Sequence, residues 1–269
     1  MVDSTASVPI RRVTEAGQSP VEDTVATEAP LTIILNNQEL VTLLCSPANL
    51  AELAVGFLSS EGLLKGRDDI ARVLTDPARG VVRVTTREDR EIDADLLSKR
   101  FITSGCGRGA SFYQMSDVQD REKVASSLMV TPGQIADLVK EFQHRSLVYR
   151  NTGGVHSAAL CDSDNILVFT EDIGRHNAVD KIFGHCLLQG LPTEDRLIIS
   201  SGRISSEIVL KVSRRGIPIL VSKSAPTSLG VKLAADLGIT LVGFARGRRM
   251  NIYSGEQRVA ADSLAAGAL

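Results

Sequence analysis

The chain has no tryptophan, and only three tyrosines and seven phenylalanines in 269 residues. It is a poor match for a nucleic-acid binder built on stacking platforms, which needs aromatic faces for successive bases. Its four cysteines, Cys45, Cys106, Cys161 and Cys186, show no CxxC spacing. That removes the usual zinc and thioredoxin-like readings, so no metal site is expected. No apolar run approaches the roughly 18 residues of a membrane-spanning helix, and no membrane partner is expected. The first residues, with Asp3 and Arg11-Arg12 and no apolar stretch, do not read as a secretory signal. Neither sign of charge dominates: 30 basic residues stand against 32 acidic ones, a net of −2. A generally basic nucleic-acid surface is thereby disfavoured, although local patches stay open. Unpaired thiols point to a reducing, cytoplasmic setting.

What is present suits a packed core. The hydrophobic share is 43%, and the length fits one large domain or two small ones. Residues 1–29 are rich in Ser, Thr, Glu, Ala and Val without a sustained period and are expected to form a mobile tail. From Pro30, two strand-like runs flank Asn36-Asn37 and read as a β-hairpin. Ser46-Pro47 starts a helix carrying Leu50, Leu53, Ala54, Phe57 and Leu58 at helical spacing, closed by Gly62. A further strand is expected over 80–86 and a short helix over 94–100. Thr131-Pro132 opens another helix, running to about His144. Beyond it, strand-like runs at 157–161, 166–170, 196–200, 217–221 and 239–244 alternate with helical runs at 177–188, 204–214 and 226–237. Such alternation with short loops implies a mostly parallel sheet flanked by helices, an α/β fold. The expected division is an N-terminal α+β subdomain over 30–128, an α/β domain over 129–255 and a tail over 256–269.

Four segments carry chemistry. In Thr103-Ser-Gly-Cys-Gly-Arg-Gly109, glycines on both sides leave the Cys106 thiol sterically open, and Arg108 favours its thiolate. The bland alternative is an inert loop cysteine; the other three cysteines sit in apolar strand or helix contexts, as buried thiols do. Between Arg196 and Arg249 there are ten basic residues and two acidic ones, Glu207 and Asp236. This window is +8 and the remainder −10. Arg203, Lys223, Arg246, Arg248 and Arg249 follow expected strands, where open α/β sheets bind ligands. The segment Ser222–Thr227 also leads into a helix N-terminus that attracts anions. A phosphate-bearing ligand is the reading preferred over a merely solvated face. In Glu171-Asp-Ile-Gly-Arg-His-Asn-Ala-Val-Asp180, the residues Asp172, Arg175 and His176 form either an acid–base cluster or a structural network at a helix start. His156 follows two glycines. A zinc deaminase would place Glu at position 158 and a later Pro-Cys-x-x-Cys; Ala158 stands there and no CxxC follows, so that chemistry is disfavoured.

Taken together, Thr103-Ser-Gly-Cys-Gly, Gly153-Gly-Val-His156, Glu171–Lys181, Ser201-Gly-Arg-Ile-Ser-Ser-Glu207, Ser224-Ala-Pro-Thr-Ser228 and Leu241-Val-Gly-Phe-Ala-Arg246 resemble the FdhD family of formate dehydrogenase accessory sulfurtransferases. The resemblance runs from about Pro30 to Ser254. It implies a cytidine-deaminase-like α/β domain without zinc, in a cytoplasmic homodimer. It implies a sulfurtransferase that accepts sulfur from a cysteine desulfurase as a persulfide. The sulfur passes to the molybdenum (or tungsten) bis-guanine-dinucleotide cofactor, which is cargo, before formate dehydrogenase uses it. Cys106 matches the persulfide-carrying cysteine, and Phe244, Ala245, Arg246, Gly247, Arg248 and Arg249 match the cofactor-binding segment. Many members carry CxxC in the Gly-rich loop, whereas this chain has Gly109 at the second position. Two other classes remain: a cofactor-binding chaperone without a covalent sulfur step, and a metal-dependent nucleotide-processing enzyme.

Overall fold

The computed structural model describes residues 3–88, 101–102, 110–111 and 122–260. The Gly-rich loop with Cys106 and the helix expected over 94–100 lie outside the described residues.

The segment expected to be a mobile tail forms an antiparallel hairpin instead. Strands β1 (Thr5–Thr14) and β2 (Gly17–Ala26) pair along their whole length, with Ile10 opposite Val21. Thr27 N–H donates to the Ser4 carbonyl at 2.9 Å and closes the open end. β-Branched Thr5, Val8, Ile10, Val21, Thr24 and Val25 favour extended backbone even where little is buried. Polar composition conceals that preference.

A four-stranded sheet follows, in the order β4-β3-β6-β5, built from β3 (Ala29–Leu35), β4 (Gln38–Cys45), β5 (Ile70–Asp76) and β6 (Val81–Thr86). The β3–β4 turn uses Asn36 and Asn37, both at positive φ (47° and 65°), as the sequence implies. Helix α1 (Leu50–Ser60) covers this sheet, burying Leu53, Ala54 and Leu58 against Leu31, Ile33 and Val82. Short strands β7 (Phe101–Ile102) and β8 (Ala110–Ser111) pair with each other.

The C-terminal part is the expected α/β layout. Helix α2 (Pro132–Arg145) starts with a capping box, in which Thr131 and Gln134 exchange side-chain and backbone hydrogen bonds. Helix α3 (Leu147–Thr152) follows at once. Then come β9 (His156–Cys161), β10 (Ile166–Asp172), helix α4 (Arg175–Gln189), β11 (Leu197–Ser200), helix α5 (Ser206–Arg214), β12 (Ile219–Ser222), helix α6 (Ser228–Asp236), β13 (Thr240–Arg246) and β14 (Arg249–Ser254). The sheet order is β10-β9-β11-β12-β13-β14. Only the β11–β12 and β12–β13 pairings are parallel; the other three are antiparallel. The sheet is therefore mixed rather than mostly parallel. The reason is local: β9–β10 and β13–β14 are joined by short turns, and only the helix-linked strands can return parallel. Apolar layers fill both faces, one under α4, α5 and α6, the other under α2.

The division expected at 128/129 is shifted. Val124 N–H donates to the Leu237 carbonyl, so residues 122–128 lie with the α/β part. Residues 256–260 are no tail: Val130 and Val259 form a bridge, and buried Arg258 donates to the carbonyls of Gly238 (2.8 Å) and Val124 (3.1 Å).

The two parts meet at a dense seam. Helix α1 crosses α4 at Gly56 and Gly184, where a Cβ on either would fall within 2 Å of the opposing backbone carbonyl oxygen (Asp180 and Glu52). Only glycine permits that approach. Buried Asp180 accepts Lys211 Nζ at 2.8 and 2.6 Å and Ser60 Oγ at 2.6 Å. Arg214 donates to the Ser60 carbonyl at 2.8 Å.

Candidate functional site

The parallel strands β11, β12 and β13 end together, and β9 runs antiparallel to β11 with Ala158 opposite Ser200. The start of β9 and the ends of β11–β13 therefore share one edge of the sheet. A cavity of about 740 Å³ opens there. His156 comes from β9, Ser201 from the β11 end, Lys223 and Ser224 from the β12 end, and Arg246 and Gly247 from the β13 end. Helices α2 and α3 supply the other wall, with Phe142, Tyr149 and Arg150. Among the described residues the lining holds three basic side chains, Arg150, Lys223 and Arg246, and no carboxylate. Such a field attracts anions.

The β13 end is fixed by an unusual backbone. Phe244 has φ of +51° in a β-bulge, and its N–H donates to the Ser224 carbonyl at 3.1 Å. Arg246 Nε donates to the Lys223 carbonyl at 3.2 Å, and its guanidinium lies 5.9 Å from the Phe244 ring centroid. Partial burial, reinforced by the charge of Arg246, holds the Lys223 ammonium below its usual range. The side chains of the 244–249 segment thus diverge. Arg246 and Gly247 line the cavity, half-buried Phe244 lies beside Arg246, Ala245 is in the core, and Arg248 on the turn and Arg249 at the start of β14 are exposed.

The +8 window likewise divides. Lys211 is spent on buried Asp180, Arg214 on the seam, and Arg196 on its neighbour's carbonyl. Arg203 is exposed outside the cavity lining. The α6 N-terminus is satisfied by its own residue: Thr227 Oγ1 accepts the Gly230 N–H at 3.1 Å. Arg150 and Tyr149 escaped sequence reading, because the six-residue helix α3 is too short to show a period. The only pointer was an arginine a few residues ahead of Gly153-Gly154.

The cluster around Glu171 resolves into distinct roles. Asp172 is fully buried and structural: it accepts Lys181 Nζ (2.7 Å), Ser46 N–H (3.1 Å), Gly174 N–H (2.8 Å) and Asn177 Nδ2 (2.9 Å). Arg175 packs against Gly202. His176 Nε2 lies 3.0 Å from the Glu207 carboxylate. Burial, together with the charges of Lys211 and Arg175, holds His176 below its ordinary range despite that partner. His156 is likewise held low, by burial first and then by Arg175 and His176. Its Nδ1 lies 3.2 Å from Ser201 Oγ.

Three of the four thiols are sealed. Burial and the Asp172 charge push Cys45 up to about 12, and burial pushes Cys186 up to about 11. Cys161 is raised as well, by burial and then Asp162 and Glu141. None is a nucleophile at neutral pH. Cys106 lies outside the described residues.

Known proteins share this architecture and sequence. The chain is 44% identical over 241 residues to the "Sulfur carrier protein FdhD" of Bacillus subtilis, covering 90% of this chain and 92% of that one. It is 46% identical over 252 residues to the protein of the same name in Listeria monocytogenes, covering 93% and 97%. The fold matches a crystal structure from Desulfotalea psychrophila, described as a formate dehydrogenase accessory protein, with a TM-score of 0.80 and 28% identity. That match covers 96% of this chain and all of the other. The FdhD/NarQ family model matches residues 26–260, and the chain belongs to that family.

Proposed function

We propose that this protein carries sulfur in the maturation of a formate dehydrogenase, with Cys106 as the carrier thiol. The observation that bears most weight is the fate of the other thiols: Cys45, Cys161 and Cys186 are buried and held in the protonated form. A sulfur carrier needs a thiolate open to two large partners in turn, and Cys106 alone has flanking glycines and a cationic neighbour, Arg108. The names of its relatives support the sulfur role.

In this reading Cys106 attacks the outer sulfur of a cysteine desulfurase persulfide and expels the desulfurase thiolate. The resulting Cys106 persulfide gives its outer sulfur, as a neutral sulfur atom, to the metal of the molybdenum (or tungsten) bis-guanine-dinucleotide cofactor; the reduced metal supplies the two electrons that make it sulfide, and Cys106 leaves as the thiolate. The cofactor is cargo, and its pyrophosphates suit a cavity whose described residues include three cations and no carboxylate. Gly109 stands where a second cysteine would be, so no disulfide within the loop can discharge the persulfide. Holding cofactor and loop together, across a homodimer in the cytoplasm, then prevents loss of the sulfur.

The test is mass spectrometry after incubation with a cysteine desulfurase and cysteine. The expected adduct is one sulfur atom on the Cys106 peptide and none on the other three. Cys106→Ala is expected to leave folding and nucleotide binding intact and the client formate dehydrogenase inactive. Full rescue of a deletion strain by Cys106→Ala would favour a chaperone without a covalent step.

A further inference from the structure

One side chain in the cavity wall has its hydrogen bonding fixed from behind. Ser201 is held against β9: its N–H donates to the Ser157 carbonyl at 3.0 Å, and its Oγ accepts the Ser157 N–H at 2.9 Å. That same Oγ lies 3.2 Å from Nδ1 of His156. A serine hydroxyl has one hydrogen to give. Among the described residues Nδ1 is the acceptor within reach of that hydrogen, an arrangement that favours donation from Oγ to Nδ1. A ring nitrogen that accepts carries no proton, and in a neutral imidazole the proton then resides on Nε2. Among the described residues no hydrogen-bond partner reaches Nε2, and the ring belongs to the cavity wall that also holds Lys223 and Arg246.

We propose that Ser201 locks His156 as the Nε2–H tautomer, and that this N–H donates to a phosphate oxygen of the nucleotide bound in the cavity. The proposal rests on the reading of the cavity as the nucleotide site. Lys223 and Arg246 supply charge. The imidazole supplies direction, because a neutral N–H rewards an acceptor at one place and rejects a donor there. The surroundings keep the ring neutral: Arg175 and His176 on α4 oppose a second positive charge, and Asp172, the nearby carboxylate, is occupied by Lys181. His156 is thus a binding residue and Ser201 a positioning residue.

Two measurements on the full-length protein decide the matter. Long-range proton–nitrogen NMR of histidine-labelled protein at pH 7.5 is expected to show His156 unprotonated at Nδ1, and a mixture of tautomers in Ser201→Ala. Titration with GDP and with inorganic pyrophosphate is expected to show His156→Gln, which keeps a donor, within a few-fold of wild type. His156→Phe, which keeps a ring without one, should lose about tenfold or more. Ser201→Ala should fall between. An Nδ1–H signal in the wild type overturns the proposal, and so does unchanged affinity in a folded His156→Phe variant. If Lys223→Ala and Arg246→Ala still weaken binding in that case, the cavity reading stands and only the role of His156 fails. If they also bind normally, the cavity reading fails with it. Should His156→Phe not fold, the tautomer signal and Ser201→Ala decide alone.

Discussion

The seam between helices α1 and α4 and the cavity at the strand ends both depend on lysines and arginines, yet they treat charge oppositely. At the seam and beside it every lysine ammonium faces a carboxylate: Lys181 meets Asp172 at 2.7 Å and Lys211 meets Asp180 at 2.6 Å, all four side chains buried. In the cavity, Arg150, Lys223 and Arg246 share a lining that holds no carboxylate among the described residues. A buried charge must be paired or it destabilises the fold. A cation left facing open space beside other cations is stable only because water reaches it, and it retains the ability to bind an anion. The lesson is that the pairing of a charge, more than its presence in a basic stretch, separates scaffold from site.

The largest break in this comparison is expected at the seam. Asp172→Ala leaves the Lys181 ammonium buried with only the carbonyls of Ser46 and Glu171, at 3.3 and 3.2 Å. It also strands the Ser46 N–H that Asp172 now accepts. Removing one member of a buried pair costs about 3–5 kcal/mol, a fall in Tm on the order of 10 °C for a chain of this size. Replacing both, as Asp172→Leu with Lys181→Met, should cost less than either single change, because no charge is then left unpaired. A calorimetric scan of the three variants checks this; an Asp172→Ala protein melting like wild type would contradict it.

The same asymmetry explains what the sequence could reveal. The strands of the α/β part and the start of α2 were legible because Ile-Leu-Val runs and a Thr-Pro helix start are local signals, whereas α6 begins at Ser228, two residues after the expected Pro226. The convergence of strand ends was legible, because strand ends in α/β sheets meet at one edge, and Arg246 and Gly247 of the β13 end do line the cavity there. The mixed pairing was not legible, since a hairpin and a crossover strand share one apolar pattern. The β1–β2 hairpin hid behind polar residues whose extended preference is backbone sterics rather than burial. Among the basic residues from 196 to 249, nothing local distinguishes Lys211 from Lys223. One meets Asp180, 31 positions earlier, and the other meets no carboxylate among the described residues of the lining, and only the fold decides which.

The cavity gives the complementary, intermediate effect. Lys223→Ala and Arg246→Ala should each weaken GDP binding by about 1.5–3 kcal/mol, or tenfold and more. Because neither is paired to a buried carboxylate, Tm should stay within ~2–4 °C of wild type, the shift that about 1 kcal/mol produces. Arg248→Ala and Arg249→Ala should change affinity less, since those side chains are exposed outside the lining. Rising salt should weaken binding in the wild type and less so in the Lys223→Ala variant. Isothermal titration paired with melting curves reads both axes. Equal affinity in all four variants would remove the cavity as the anion site, and a loss at Arg249 exceeding that at Arg246 would move the site to the start of β14.

The smallest effect lies at the histidines of β9 and α4, His156 in the cavity wall and His176 outside the lining. Both His156 and His176 are held below their ordinary value of 6.5, chiefly by burial, with Arg175 adding to the effect. The unfolded chain therefore takes up protons near pH 6.5 that the folded chain still refuses. The stabilisation is complete above that pH and is lost as pH falls through the lower folded values, with a slope of at most about 1.4 kcal/mol per pH unit for each proton. Melting temperature should decline from pH 7.5 to 5.5 in the wild type. In a His156→Gln, His176→Gln protein the decline over that window should be shallower, because glutamine keeps a donor near each Nε2 but does not titrate. Glu207 contributes in the same direction but at lower pH, since the His176 hydrogen bond and nearby positive charges outweigh burial and depress its carboxyl. Any remaining slope below about pH 5 is assigned to it and to other carboxylates. Identical slopes in both proteins between pH 7.5 and 5.5 would mean that these rings charge as freely in the fold as in water, and that neither burial nor Arg175 holds them neutral.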